Sequence, residues 1–157
     1  MRYPRPRLTV PGKFESPMGT KAQVPELSRM IEETQTRRMT VLLVEDEPLL
    51  RMFSAEAFSE AGFNIIEAGT ADEAASILKA REDVKAVVAD IQTPGTLDGL
   101  GLVRLAYEKN PRIARLLVSG RVRPTPQDLP PDTLFVAKPY DADALAGRLF
   151  AILQDAA

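Results

Sequence analysis

Charged and hydroxyl side chains follow four apolar runs of the sequence, at the point where each run ends. Glu45 and Asp46 follow the first of these runs, Asp90 ends another, Ser119 closes a third and Lys138 follows the last. The carboxyl ends of parallel strands meet at one edge of an open α/β sheet, and such sheets bind their ligands there. We therefore expect these five side chains to converge, with Asp90 as a nucleophile that accepts a phosphoryl group.

A group of carboxylates at one place needs a positive charge, because like charges in close proximity repel one another. Mg²⁺ typically takes one or two carboxylates together with waters and substrate oxygens. Asp46 and Asp90 are the candidate direct ligands, and Glu45 is expected to act through water. The backbone carbonyl of Gln92 could add a further oxygen. The sequence thus predicts a Mg²⁺ site beside the nucleophile.

The remaining two polar residues suit a phosphorylated product. Lys138 would form an ion pair with phosphorylated Asp90, and the hydroxyl of Ser119 could donate a hydrogen bond to a phosphoryl oxygen. The bound Mg²⁺ ion would offset the negative charge of both the phosphoryl group and the attacking Asp90 carboxylate.

The composition limits the chemistry that this chain can perform. It has 157 residues with no Cys and no His, which excludes thiolate and imidazole groups as ligands or catalysts. Oxygen ligands favour Mg²⁺, Ca²⁺ or Mn²⁺. No apolar run approaches the ~20 residues that span a bilayer, and the N-terminus lacks the apolar core of a secretory signal. We expect a cytoplasmic location without a membrane partner.

Charge is distributed unevenly along the chain. Residues 1–39 contain eight Lys or Arg and four Asp or Glu, whereas residues 40–157 contain 12 basic and 18 acidic residues. A compact acidic domain binds nucleic acid poorly. We therefore expect no direct DNA binding, and a stand-alone domain without an attached output domain after Ala157.

Strands and helices alternate from residue 40 onward. Apolar runs predict five strands, at 41–44, 63–67, 86–90, 114–119 and 134–138. Helical spacing of apolar residues predicts helices that begin at Pro48, after Thr70, after Asp98 and after Asp141. In the first of these helices Leu50, Phe53, Ala57 and Ala61 form the apolar stripe. This alternation predicts a doubly wound parallel sheet with right-handed crossovers.

One crossover segment departs from the alternation. Residues 120–132 contain four prolines, which make a long helix there very unfavourable. We expect at most one helical turn, over residues 125–129. The helix after the fourth strand is therefore predicted to be degenerate.

The first 39 residues form an N-terminal extension to the domain at 40–157. Five prolines and scattered arginines over residues 1–25 predict a disordered arm. Leu27, Met30, Ile31 and Thr34 have helical spacing, so a short helix is expected within residues 25–38. Two interpretations stay open for it, a solvated tail and a docking or dimerisation helix.

These pieces together resemble the receiver domain of two-component response regulators. The resemblance covers about residues 40–155 and rests on four motifs in the family order: Val41-Leu42-Leu43-Val44-Glu45-Asp46-Glu47-Pro48, the stretch from Asp90 to Gly99, Val118-Ser119-Gly120, and Lys138-Pro139-Tyr140. It implies the flavodoxin-like strand order 2-1-3-4-5.

The resemblance also implies roles for individual residues. Asp90 would be phosphorylated by a histidine kinase or a histidine phosphotransfer protein, with Glu45 and Asp46 as the acidic pair and Lys138 as the family lysine. Ser119 matches the switch hydroxyl. Phe135 matches the aromatic switch residue, which would rotate when a phosphoryl group pulls Ser119 inward. The loop after Asp90 is one residue longer than the usual family spacing between Pro-Gly and Asp-Gly.

Three other functions stay open at this point. The chain could be a receiver-like scaffold that never takes phosphate, or the receiver part of a hybrid histidine kinase. An aspartyl-phosphate hydrolase is a third reading, but it needs an acid–base carboxylate two residues past the nucleophile, where this sequence has Gln92. We therefore expect a phosphoacceptor and no turnover enzyme, with self-dephosphorylation as the only enzymatic reaction considered.

Overall fold

The computed structural model describes residues 23–36 and 38–156. The chain divides into two units, Met1–Thr34 and Gln35–Ala157. Helix α1 covers Gln23–Thr36, and its Leu27, Met30 and Ile31 side chains are more than half exposed. The disordered arm was predicted for residues 1–25; positions 23–25 belong to α1, and positions 1–22 lie outside the described residues.

The larger unit contains a five-stranded parallel sheet in the order β2-β1-β3-β4-β5. Its strands are β1 (Thr40–Val44), β2 (Asn64–Ala68), β3 (Val84–Asp90), β4 (Ala114–Ser119) and β5 (Thr133–Ala137). Its helices are α2 (Pro48–Glu60), α3 (Ala71–Ala80), α4 (Gly99–Lys109) and α5 (Ala142–Asp155). The predicted fold class and strand order are confirmed.

Helices cover both faces of this sheet. Successive residues of β1, such as Val41 and Leu42, point to opposite faces of the sheet and enter two different apolar clusters. One cluster packs the sheet against α3 and α4, and the other packs it against α2 and α5. Strands buried on both faces need continuous apolar runs, which explains the pattern seen in the sequence. None of the helices within the described residues combines the length and apolarity needed to cross a membrane.

Helix α2 buries a different stripe from the predicted one. The buried residues are Ser54, Ala55, Ala57 and Phe58, and the Phe58 ring lies 6.0 Å from that of Phe63. Leu50 and Phe53, which belong to the predicted stripe, are 40% and 58% exposed. The helix carries apolar residues on two faces, so spacing alone did not identify the face that packs on the sheet.

Side-chain caps fix the starts of three helices. Thr70 Oγ1 accepts from Glu73 N at 3.1 Å, Asp98 Oδ1 accepts from Gly101 N at 2.8 Å, and Asp141 Oδ1 accepts from Ala144 N at 3.0 Å. Such bonds satisfy amide groups that a helix start leaves without partners. The caps therefore hold the loop ends in place at the edge where the polar residues lie.

The proline-rich segment between β4 and β5 forms one 3₁₀ turn, Pro126–Asp128, as predicted. The Asp128 carboxylate accepts from the backbone and the hydroxyl of Thr125 at 2.8 and 2.7 Å. Val122 and Leu129 pack against the core in place of a helix. These contacts hold the segment against the core, and we call residues 120–132 the proline strap.

A buried arginine fastens the far end of the proline strap. Arg115 of β4 is 3% exposed, and its guanidinium carbon lies 5.0 Å from the ring centroid of Tyr107. Its nitrogens donate to three backbone carbonyls, those of Pro111, Ile113 and Pro131, at 3.0, 2.5 and 2.6 Å. A buried charge persists only when hydrogen bonds satisfy it, and carbonyls from both flanking loops do so here.

We predict that Arg115→Met lowers the free energy of unfolding by about 3 kcal/mol, because one buried and two partly buried carbonyls lose their donor. Urea denaturation followed by circular dichroism measures the change. Arg112→Met, at an exposed neighbouring position, is the control and should stay within about 0.5 kcal/mol of the wild type. Equal stability of the two variants would show that the hydrogen bonds of Arg115 do not stabilise the fold.

Candidate functional site

The predicted polar residues meet at the carboxyl edge of the sheet. Glu45 directly follows β1, Asp90 and Ser119 are the last residues of β3 and β4, and Lys138 directly follows β5. The register aligns Asp90 with Val118 and aligns Ser119 with Ala137. Four strands thus deliver one residue each to the same edge.

Lys138 joins two of the carboxylates. Its Nζ lies 2.8 Å from Glu45 Oε2 and 2.5 Å from Asp90 Oδ2. Glu45 is 3% exposed and Asp90 is 7% exposed. Charge-assisted hydrogen bonds in such a site are stronger than those between neutral groups. The ammonium group therefore offsets part of the negative charge of the carboxylates that strands β1 and β3 bring together.

The environment changes the pKa of both Glu45 and Lys138. Burial raises the pKa of Glu45 and outweighs the opposing hydrogen bonds from Lys138 and Glu47 N. Burial lowers the pKa of Lys138, but hydrogen bonds to Asp90 and Glu45 outweigh it, so the pKa is raised overall. The stabilisation from the ammonium is therefore complete below its unfolded-state pKa and is lost only as pH rises through the folded-state value.

Asp46 completes an acidic cluster with these carboxylates. Glu45, Asp46 and Asp90 each offer an oxygen, and these oxygens lie within 4.8 Å of one another. Asp46 is exposed, so the cluster opens to solvent on one side. Hard oxygen donors at this separation match the preferences of Mg²⁺. The residues present therefore fit the predicted ion.

The loop after Asp90 begins with a bond to the same carboxylate. Gln92 N donates to Asp90 Oδ1 at 2.9 Å. The two oxygens of Asp90 therefore have different partners, an amide and an ammonium. A metal contact of the Gln92 carbonyl stays a prediction.

Ser119 and Phe135 have separate surroundings. Ser119 is buried, and its Oγ accepts from Val122 N at 3.0 Å. Phe135 packs against the core cluster beside α4 and lines a groove of about 500 Å³ with prolines of the proline strap. Both candidate switch residues therefore touch the proline strap, and their switching roles stay predictions.

Sequence reasoning missed two residues near the site. Arg51 Nη1 donates to the Glu45 carbonyl at 2.7 Å, and Arg51 Nε lies 3.4 Å from Glu67 Oε2. Asp72, in the first turn of α3, accepts hydrogen bonds from Thr96. No local motif marks either residue, because their partners lie in other segments.

An apolar groove borders the site. It has a volume of about 410 Å³ and its lining includes Leu50, Phe53, Pro139, Tyr140 and the stem of Lys138. The Tyr140 hydroxyl and Ser54 Oγ lie 3.2 Å apart at its base. The groove places exposed hydrophobic side chains directly beside the acidic cluster.

Comparisons with known proteins agree with this geometry. The family model of the response regulator receiver domain matches residues 41–149. Sensor kinase CckA of Brucella abortus is 29% identical over 94% of this chain and 16% of its own length. The probable transcriptional regulatory protein TcrX of Mycobacterium tuberculosis is 31% identical over 74% of this chain and 50% of its own length. The chain thus spans between about a sixth and a half of these relatives.

Solved structures show the same fold. A response regulator receiver protein from Sinorhizobium medicae is 24% identical with a TM-score of 0.73, and covers 78% of this chain and 99% of its own. The receiver domain of the hybrid histidine kinase CckA is 27% identical with a TM-score of 0.63, over 73% of this chain and 99% of its own. With the family model matching more than half of its residues, this chain belongs to the response regulator receiver domain family.

Proposed function

We propose that the chain is a phosphoacceptor in a two-component system or phosphorelay, modified on Asp90. The observation that carries this proposal is the Lys138 ammonium held between Glu45 and Asp90 next to the exposed Asp46. A carboxylate with a fixed cation on one oxygen and open solvent nearby is arranged to receive a negatively charged group.

The transfer would take a phosphoryl group from a phosphohistidine of a kinase or phosphotransfer protein. An oxygen of Asp90 forms a bond to phosphorus while the bond from phosphorus to the donor imidazole nitrogen breaks, and that nitrogen keeps the electron pair. The product is an acyl phosphate. Lys138 lies 2.5 Å from one Asp90 oxygen and would pair with the added negative charge.

Glu45, Asp46 and Asp90, with the Gln92 carbonyl, would hold Mg²⁺. The bound ion would supply positive charge against the phosphoryl oxygens. The chain's own residues divide the remaining work: Asp90 supplies the nucleophile, and Lys138 holds its carboxylate by a hydrogen bond.

The signal would leave the site through Ser119. Its hydroxyl can donate to a phosphoryl oxygen while its Oγ still accepts from Val122 N. A shift of Ser119 would then displace the start of the proline strap, and Phe135 beneath the strap would repack. Added charge that biases a two-state surface is a general mode of phosphorylation switching.

The partner would dock on the apolar groove beside the site. A protein donor must bring its phosphohistidine to Asp90, so it covers the surface around the acidic cluster. Leu49, Leu50, Met52 and Phe53 of α2 are all 40% or more exposed there. Exposed apolar patches of this kind mark interaction sites. We propose that this face of α2 receives the histidine-bearing partner.

A second reading is that the chain is the receiver part of a hybrid histidine kinase. The similarity to Brucella sensor kinase CckA over 94% of this chain favours it. The chemistry at Asp90 would be the same in both cases, and the difference lies in the source of the phosphoryl group. A third reading, an unphosphorylated scaffold, is separated from both by the first experiment below.

We predict that the wild-type chain, incubated with Mg²⁺ and acetyl phosphate, gains the mass of one phosphate, because Asp90 offers a carboxylate oxygen beside Lys138 and the acidic cluster. Asp90→Asn should gain none. Intact-protein mass spectrometry makes the measurement. Asp98→Asn, which keeps a good helix cap outside the acidic cluster, is the control and should be modified like the wild type. A folded wild type that gains no mass would support the scaffold.

We predict that Lys138→Met lowers the free energy of unfolding by about 3 kcal/mol at neutral pH, because two buried carboxylates lose their cation. The loss should shrink as pH falls toward 5, since protonation removes the repulsion and the pKa of Glu45 is already raised. Denaturant titrations at several pH values test this. Lys85→Met, an exposed charge on β3, should show little change, and a pH-independent loss for Lys138→Met would contradict the electrostatic role.

We predict that Phe53→Ser slows phosphoryl transfer from a phosphorylated histidine phosphotransfer protein about tenfold, because an exposed aromatic in the groove is a candidate hot spot. Labelling by acetyl phosphate should be unchanged, since that donor needs no docking surface. Glu60→Ser, at the end of α2 far from the site edge, is the control. Equal slowing with both donors would mean that the variant disturbs the site and not docking.

A further inference from the structure

The loop that follows Asp90 is attached to a second helix. Asp72, in the first turn of α3, accepts from Thr96 N at 2.9 Å, from Leu97 N at 3.3 Å, and from the Thr96 hydroxyl through its other oxygen. One carboxylate thus binds three donors from two adjacent loop residues. This loop contains the residue by which the sequence exceeds the usual spacing.

The close approach of the loop to Asp72 also explains why residue 95 is a glycine. Gly95 has a φ of 116°, a conformation that other L residues rarely adopt. A Cβ at this position would also collide with the Asp72 carboxylate. The loop therefore approaches Asp72 so closely that both its conformation and its lack of a side chain are required.

The loop is also fastened on either side of Asp72. Gln92 N donates to Asp90 Oδ1 at 2.9 Å at its start. The Leu97 side chain packs against the core, over the space left by Gly101. Asp98 then caps α4. The position of the loop between the nucleophile and α4 thus depends on a few identified contacts, and Asp72 supplies the central one.

Asp72 is not needed to begin its own helix. Thr70 Oγ1 caps Glu73 N, and Glu73 Oε2 accepts from Gly69 N at 2.8 Å. Both side-chain oxygens of Asp72 are bound by the loop, although the residue stays partly exposed to solvent. Hydrogen bonds from Thr96 and the Leu97 amide hold the pKa of Asp72 below its usual range.

We propose that Asp72 is a positioning residue for the phosphoacceptor site, acting through the loop at 92–98. By fixing Thr96 and Leu97 it fixes the path of the backbone that starts at Gln92, whose carbonyl would face the ion. Asp72 touches neither Asp90 nor a substrate. This inference rests on the proposed function, and it adds a residue from α3 to the set that determines Mg²⁺ affinity.

Two variants with a matched control test the proposal. Asp72→Ala removes all three bonds, and Thr96→Val removes the hydroxyl bond alone. Glu73→Gln removes a charge from the same helical turn but touches no loop residue between 93 and 97, so it controls for the loss of charge at the start of α3.

The first readout needs no ion. Hydrogen exchange of the amides of Thr96 and Leu97, followed by NMR in metal-free protein, should accelerate in Asp72→Ala and stay unchanged in Glu73→Gln. The second readout is Mg²⁺ affinity by isothermal titration calorimetry. We expect the Kd of Asp72→Ala to rise about fivefold, within the range found for residues that couple to a site through a packed network. The maximal labelling rate by acetyl phosphate at saturating Mg²⁺ should change less than about twofold.

If the effects of Asp72→Ala and Thr96→Val on Mg²⁺ affinity do not add, the two residues act as one unit. If Asp72 acts through Thr96, the double variant should bind Mg²⁺ as Asp72→Ala alone does. If Asp72→Ala and Thr96→Val both bind Mg²⁺ as Glu73→Gln does while the wild type is labelled normally, this inference is wrong and the proposed function stands. If the folded wild type neither binds Mg²⁺ nor takes phosphate, the proposed function fails and the inference fails with it.

Discussion

The ammonium of Lys138 is the interaction on which the site depends. Strand order places β1 beside β3, so Glu45 and Asp90 are buried next to each other whether or not a cation is present. Lys138 follows β5, which is separated from β3 by β4, and only a long side chain crosses that distance. Gly120, directly after β4, lies beside this side chain, since a Cβ added at Gly120 would lie 3.7 Å from the Lys138 Cβ. The strand order therefore brings the two carboxylates together, and the lysine after β5 supplies the cation that stabilises them.

The charges at this edge favour further ligands of a particular kind. Three carboxylates and one ammonium leave a net negative cluster with one exposed member, Asp46. A divalent cation would neutralise that net negative charge and so favour the approach of a phosphoryl group. The cluster would thus bind a cation before an anion, which is consistent with the proposed phosphoryl acceptance on Asp90.

Much of the fold follows from the sequence, because buried parallel strands need continuous apolar runs and their ends must meet. The convergence of Glu45, Asp90, Ser119 and Lys138 follows from that rule, whereas the strand order came from family resemblance. The sequence did not show which face of α2 packs inward, since both faces are apolar. Nor did it show the roles of Arg115 and Asp72, whose partners are backbone groups of distant loops and leave no mark in local spacing.

The proline strap is held at both ends, by Ser119 near the acidic cluster and by Arg115 at the opposite edge of the sheet. Because both ends are held, a shift of one end must change the path of the segment between them. The middle of the strap, Pro126–Asp128, contacts helix α4, where Arg104 donates to the Asp128 carbonyl at 2.9 Å. A displacement at Asp90 would thus reach helix α4 by two routes, through the loop that leads to its first turn and through the proline strap.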